Sequence, residues 1–373
     1  MSRPEFRSLE QQAAPLGPQV APFVLRYLDR WRPYKAAWNY EDGCVWTGAL
    51  ALAQATGLRL FGDFVYREVS ARIDGNGRIA AYEPDEFNID NINPARVVLA
   101  LAHDCAEPRF DQALAMPLDQ LARHPRTVSG NYWHKQIYPN QVWLDGLYMA
   151  QPFRCAWARA AGQAAIVDDV LAQFGTVWQH LRHGDAGLFV HGWDESRAER
   201  WADPDSGRSA NVWGRAMGWY VMALVDCIEA LSGFAPAQTA ARVLTTALRS
   251  SVDALLAVRT PEGLWLQLPT LPKQPGNYPE ASASLMIAYA LMKGGRLGLL
   301  EAGAAEAGQR ALAACIDAFL DERELGGICG VAGLGNTPYR DGSVAYYLSE
   351  PIVTNDPKGV AALLLAVSEA LRR

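Results

Sequence analysis

Apolar residues recur with a period near 3.6 along almost the whole chain. The spacing predicts twelve helices, at 18–32, 43–57, 59–73, 91–104, 108–123, 141–159, 163–182, 211–232, 236–258, 280–295, 301–321 and 356–372. Connections after the odd-numbered helices are long. Those after the even-numbered ones are mostly a few residues, including Gly233-Phe-Ala235 and the Gly294-Gly295 stretch, which supply the positive-φ positions a helix C-terminus favours. Six hairpins with their long loops always on the same side can close into a double-ringed toroid whose loops crowd one rim. Every motif of chemical character falls on those long connections, so the rim is the expected place of function.

At 373 residues the chain is longer than most single domains, yet no linker or charge run divides it and the hairpin pattern runs from end to end. The reading is a loosely held tail over 1–17 and one domain over 18–373. The N-terminus lacks an uninterrupted apolar stretch, and no later segment is apolar enough to span a bilayer, so no membrane association and a cytoplasmic location are expected. Cys44, Cys105, Cys155, Cys227, Cys315 and Cys329 stand at wide spacings without a CxxC pair and read as free, mostly interior thiols. A net charge of −6 and a pI near 5.6 exclude a nucleic-acid partner; an anionic small ligand fits only where a few cations converge.

Tryptophan is abundant, and Trp38, Trp46, Trp133, Trp143, Trp193, Trp201, Trp213, Trp219 and Trp265 lie at or beside the long connections. Single core tryptophans are ordinary, but a cluster at one rim also suits the apolar faces of sugars. Two connections echo each other: Asp185–His191 and Pro261–Gln267 each read as a turn and a short alternating strand that ends on a polar side chain.

Asp145 and Gly146 are both poor helix formers inside an apolar run, which marks a functional or packing demand. An apolar setting would make Asp145 a usable general acid, with Gln141 four residues earlier placed to hydrogen-bond it; the alternative is a buried capping or ion-paired Asp. Arg215 and Trp219, also four apart, would offer a cation beside an aromatic plate, or else pair within the bundle. Asn93-Pro94 reads as N-cap and N1 of the fourth helix, which frees Asp90 for other work or leaves it a solvated turn residue. His134, Lys135 and His191 are the nearest basic residues, and their spacing matches no metal site. His180 and His183 answer a helix dipole, Glu280 opens the tenth helix, and Gly330–Gly335 is a rim loop rather than a phosphate loop.

Together these segments resemble the unsaturated rhamnogalacturonyl hydrolases, family 105 of the glycoside hydrolases. The matching pieces are Trp38–Gly43, Asn88–Asn93, Trp133-His-Lys135 with Tyr138-Pro139, Gln141–Ala150, His191–Glu195, Trp213–Trp219, Glu280–Ser284, and Gly333–Gly335 through Tyr339–Ser343 to Ser349–Pro351. The resemblance implies an all-α (α/α)6 barrel and removal of a Δ4,5-unsaturated uronic acid from the non-reducing end of a small oligosaccharide, with no cofactor and no metal. It implies Asp145 as proton donor and water-activating base, Asp90 as its companion, and Arg215, His191, Trp143 and Trp219 as binding groups, with Arg215 toward the C6 carboxylate. Tyr40, His134 and Lys135 are implied as further contributors.

Three other readings stay open. The sister unsaturated glucuronyl hydrolases share the non-reducing-end sugar, since the double bond erases the C4 stereocentre. A sugar epimerase would require histidine bases on both ring faces, and a non-catalytic carbohydrate-binding toroid would leave Asp145 without purpose.

Overall fold

The computed structural model describes residues 11–184 and 187–372. Its helices are α1 (Val20–Asp29), α2 (Tyr40–Thr56), α3 (Arg59–Ser70), α4 (Ala95–Asp104), α5 (Pro108–Ala113), α6 (Ala115–Arg123), α7 (Leu144–Ala161), α8 (Ala164–His180), α9 (Gly214–Ala230), α10 (Gln238–Ala257), α11 (Ala281–Arg296), α12 (Ala304–Phe319), α13 (Val344–Ser349) and α14 (Pro357–Leu371). The inner ring runs α2, α4, α7, α9, α11, α14 and closes back on α2. Around it, α3, α5 with α6, α8, α10 and α12 each pack on the inner helix before them, and α1 takes the sixth outer place; a 3-10 turn at Ala14–Leu16 touches both α1 and α14. This is the (α/α)6 barrel.

Side-chain patterning separates the rings. α10 buries Ala240, Leu244, Leu248, Ser251, Val252 and Leu255, a stripe at three- and four-residue steps that faces the barrel. α9 instead buries every residue from Gly214 to Ile228, as a helix with protein on all sides must. Glycines set the closest approaches: a Cβ on Gly48 of α2 would lie 2.7 Å from the Leu364 Cβ of α14, and one on Gly218 of α9 would lie 2.8 Å from the Met286 Cβ of α11. Among the described residues all six cysteines are free, and no helix is long and apolar enough to cross a membrane.

Each expected helix has a counterpart, with corrected ends. α2 starts at Tyr40 because the Asn39 side chain caps it, accepting from the Asp42 N–H. The 91–104 helix divides into a 3-10 turn, Ile89–Ile92, and α4; Asn93 is already in the helical region (φ −51°, ψ −47°), so it does not cap as expected, and its Oδ1 faces the Cys44 thiol. The 108–123 helix breaks into α5 and α6. Residues 141–143 are strand rather than helix: β1 (Gln141–Trp143) pairs antiparallel with β2 (Gly192–Asp194), while β3 (Ile328–Cys329) pairs with β4 (Ile352–Val353). Of the expected tail, residues 1–10 lie outside the described residues, and beyond them Ala13 and Leu16 are packed in the core. The two echoing turn–strand segments reduce to single bridges, Arg182 with Phe189 and Leu266 with Pro279; Asp185 and Ala186 lie outside the described residues.

Candidate active site

All six inner elements begin at the same end of the barrel, and their second residues are Glu41 (α2), Asp90 (the 3-10 turn before α4), Asp145 (α7), Arg215 (α9), Ser282 (α11) and Lys358 (α14). A parallel inner ring thus sets six polar or charged side chains around one axis, with the positive ends of the helix dipoles beside them. Asp145 is 15% exposed, while Glu41, Asp90, Arg215, Ser282 and Lys358 are buried.

The rim loops bring further groups between these positions. His134 donates its backbone N–H to the Gln141 carbonyl of β1 at 2.7 Å, and its own carbonyl accepts from the Ile89 N–H at 3.1 Å, so its ring sits between the two acids. His134 Nε2 lies 3.8 Å from Asp90 Oδ2, and Lys135 Nζ binds that same oxygen at 2.8 Å. Burial pushes the Asp90 carboxyl up, but Lys135 and His134 outweigh it and leave Asp90 below the usual carboxylate range. Burial pushes the His134 imidazole down to about 4, against the pull of Asp90, so at neutral pH it is uncharged. The His134 ring stacks on Trp143 with centroids 4.2 Å apart, and Tyr138 stacks on Trp143 at 4.8 Å.

On the opposite flank His191 Nε2 faces Asp145 Oδ2 at 3.4 Å, while its Nδ1 is 2.7 Å from the Tyr347 hydroxyl. Burial pushes the Tyr347 hydroxyl well above its ordinary value, so it keeps its proton. Donating that proton to Nδ1 leaves no buried hydroxyl hydrogen unpaired, and it places the imidazole proton on Nε2, toward Asp145. Asp145 Oδ2, Asp90 Oδ1, and Nε and Nη2 of Arg215 are all buried without a hydrogen-bond partner. Buried polar atoms are normally satisfied, so unpartnered atoms on Asp145, Asp90 and Arg215 at the start of three inner elements make this end of the barrel the candidate site.

Arg215 donates to the Cys329 carbonyl at 2.7 Å and the Ser282 hydroxyl at 3.2 Å. Glu280, expected at the start of the tenth helix, is the N-cap of α11: its carboxylate accepts from Ala283 N–H, Cys329 N–H and the Ser282 hydroxyl. Tyr40 opens α2, where burial first and then the charges of Glu41 and Asp90 push its hydroxyl well up, and Arg215 pulls the other way.

Two expected pairings fail. Gln141 does not reach Asp145, because β1 carries it away from the helix; its amide instead accepts from Trp143 Nε1 at 3.0 Å and donates to Glu199 at 3.2 Å. Trp219 is not a plate beside Arg215: it is 2% exposed and stacks on Tyr148 of α7 at 4.8 Å, while the guanidinium lies over Trp213 at 4.9 Å. Most of the rim tryptophans are likewise core, as with Trp38 against Trp46 and Trp265 bonded to the Leu255 carbonyl. Sequence reasoning passed over Glu41, Tyr347 and Lys358 as individual residues.

A cavity of about 630 Å3 lies beside this ring rather than at Asp145, walled by Arg26, Arg30, Arg32 and Arg323 together with Tyr34 and Asp356. The rim is therefore less poor in basic side chains than its motifs suggest. No group of three or more His, Cys, Asp or Glu side chains among the described residues could hold a metal ion.

The model of Glycosyl Hydrolase Family 88 matches residues 23–373. A solved glycoside hydrolase from family 105 of C. acetobutylicum ATCC 824 is 38% identical, with a TM-score of 0.85 over 90% of this chain and 94% of that one. Protein Atu3128 of Agrobacterium fabrum is 43% identical over 234 residues, 60% of this chain and 98% of that protein. Unsaturated rhamnogalacturonyl hydrolase YesR of Bacillus subtilis is 28% identical over 207 residues, 54% of this chain and 55% of that one.

Proposed function

The chain belongs to the glycoside hydrolases matched by the family 88 model and is related to the family 105 enzymes, and from this premise we propose that it releases a Δ4,5-unsaturated galacturonate from the non-reducing end of rhamnogalacturonan-derived oligosaccharides. The observation that carries the reading is the pair of inner-ring carboxylates in different settings: Asp90 paired with Lys135, and Asp145 with an unpartnered oxygen beside His191.

In this reading Asp145 gives its proton to C4 of the enol ether, and positive charge develops at C5 and the ring oxygen. Water adds at C5 and passes a proton to the Asp145 carboxylate, which restores the acid. The hemiketal then opens at its C5–O5 bond to a ketone and leaves a hemiacetal at C1, whose bond to the aglycone oxygen breaks as the hemiacetal proton passes to that oxygen and C1 becomes an aldehyde. One water is consumed, and no carboxylate attacks the anomeric carbon, unlike the paired-carboxylate route of ordinary glycosidases. Asp90, ionised and paired with Lys135, binds sugar hydroxyls and orients the water; Arg215 takes the C6 carboxylate, and His191 supports Asp145 through its Nε2 proton. Tyr40, His134 and Trp143 line the sugar. Trp219 supports the site from the core, through Tyr148.

Arg215→Ala is expected to weaken binding of the free uronate by roughly tenfold or more while affecting its methyl ester much less, because a charge-assisted fork loses its anion in the ester. Reporting the ratio of kcat/KM for the two substrates separates this from any loss of folding, which lowers both alike. Equal losses would remove Arg215 from the carboxylate site.

The substrate itself is tested by following the ultraviolet absorbance of the enol ether as protein is added. The expected order is fastest loss with the unsaturated galacturonyl residue on rhamnose and much slower loss with unsaturated glucuronyl-hexosamine disaccharides. Support for this order is the set of motifs and the YesR relative; the arginines near the rim mean that repulsion of a second anion is no part of it. A preference for the hexosamine-linked disaccharide would transfer the chain to the glucuronyl reading, and no loss with any uronide would end the hydrolase reading.

A further inference from the structure

Three of the six second positions of the inner ring, Asp90, Asp145 and Arg215, have roles in the proposed reaction. Ser282 holds Arg215 in place. Lys358 occupies the equivalent place in α14, on an element that closes the ring between α11 and α2.

We propose that Lys358 is a substrate-binding residue whose ammonium, together with the Arg215 guanidinium, brackets the carboxylate of the bound uronide. This rests on the functional reading above and extends it to a second cation.

The plain alternative is a lock at the start of α14. Asp356 caps that helix by accepting from the Lys358 N–H at 2.9 Å, and its two oxygens sit 2.8 and 2.9 Å from Lys358 Nζ. That pairing accounts for part of the ammonium, which has three donors. It does not account for the setting. Lys358 is 3% exposed and the Arg215 charge acts on it, so two buried cations at equivalent places of the inner ring lie within electrostatic reach of each other. Burying like charges together is costly unless an anion joins them.

Among the described residues Arg215 has no direct ion pair: it donates to the Ser282 hydroxyl and the Cys329 carbonyl, Glu280 and Asp356 act on it only at longer range, and its Nε and Nη2 are buried and unpartnered. Glu41, whose charge also acts on Lys358, pairs with Lys35 at 3.5 Å. Burial and Arg215 both push the Lys358 ammonium below its ordinary value, with Asp356 and Glu41 opposing. An incoming carboxylate between Arg215 and Lys358 would satisfy the spare donors of the first and relieve the repulsion on the second.

Lys358 also lies 5.3 Å over the ring of Tyr34, a residue 48% exposed on the wall of the arginine-lined cavity. The ammonium therefore stands at the boundary between the buried ring and an opening to solvent, where an anionic sugar can reach it.

The test compares the free-acid disaccharide and its methyl ester across the wild type, Lys358→Met and Lys358→Arg. Lys358→Met should raise KM for the free acid about tenfold, change kcat by less than about threefold, and leave the ester nearly unaffected; Lys358→Arg should recover most of the loss. Combined with Arg215→Ala, the two losses on the free acid should fall short of additive, as expected for groups that share one partner. A KM that rises equally for acid and ester, or does not rise, overturns the proposal and leaves the helix lock. Should Lys358→Met fail to fold, Lys358→Gln, which keeps a donor for Asp356, is read in the same way. If the wild type consumes neither disaccharide, the hydrolase reading fails instead. Calorimetric binding of saturated galacturonate and its methyl ester to wild type and variant then decides Lys358 alone, with loss of discrimination supporting it and retention overturning it.

Discussion

Replacing Asp145 by asparagine is expected to lower turnover of the enol-ether substrate by about 10²–10⁴, the usual worth of a positioned general acid, with the melting temperature almost unchanged. The two halves of that expectation have separate causes. Asp145 Oδ2 has no hydrogen-bond partner and the side chain is 15% exposed, so an isosteric amide removes little that holds the fold. An amide has no proton to give C4 and cannot take one from water, so both chemical steps lose their agent. His191, whose Nε2 lies 3.4 Å away, stays tied to Tyr347 and keeps its orientation in the variant. Measured as loss of ultraviolet absorbance under saturating substrate, near-normal turnover would remove Asp145 from the chemistry and direct attention to Asp90.

How much of this could be read in the chain depended on whether local structure or long-range packing decided each point. The barrel was legible because a 3.6-residue period and alternating loop lengths are local properties. The Asp145-Gly146 pair was legible as an anomaly, and its second half now has a packing cause: a Cβ on Gly146 would come within 3.3 Å of both His134 Nδ1 and Ile89 Cγ2. The pairing of Arg215 with Trp219 was misread for a reason built into inner-ring helices. α9 is buried on every side, so a four-residue step shows that two side chains share a face without telling which face looks into the site. Arg215 meets Trp213 and Cys329, while Trp219 meets Tyr148.

Gln141 failed differently. Trp143 is extended (φ −114°, ψ 147°), so the helix cannot begin before Leu144, and a strand paired with Gly192–Asp194 replaces its expected first turn. Glu41 and Lys358 were invisible because they follow ordinary helix-start signals, Asn39 as N-cap in one case and Asp356-Pro357 in the other. Tyr347 comes to His191 across 156 positions of sequence, a distance no spacing rule bridges.

Asp226→Ala is expected to cost about 3–5 kcal/mol of stability, read from chemical unfolding midpoints, because it leaves buried cations without their anion. Asp226 sits on α9 with Arg96 of α4 at 2.6 Å, Lys293 of α11 at 2.7 Å and the Tyr289 hydroxyl at 2.7 Å, and so ties three inner helices together beneath the site. The loss falls chiefly on Arg96, since Lys293 retains Glu229 at 2.6 Å. Burial alone would push the Asp226 carboxyl up, but Lys293 and Arg96 outweigh it and hold it at about 2. A carboxyl whose folded pKa is depressed contributes stability that is fully present above the ordinary value near 4 and disappears as pH falls through the folded value. The gap between wild type and Asp226→Ala should therefore be widest near neutral pH and narrow between about pH 4 and pH 2. Replacing the pair with apolar groups, as Asp226→Leu with Arg96→Met, should recover part of the loss, because it removes the stranded charge together with its partner. A single-variant loss below about 1 kcal/mol would mean that water or neighbouring groups already screen this network, and that the inner ring is held by packing alone.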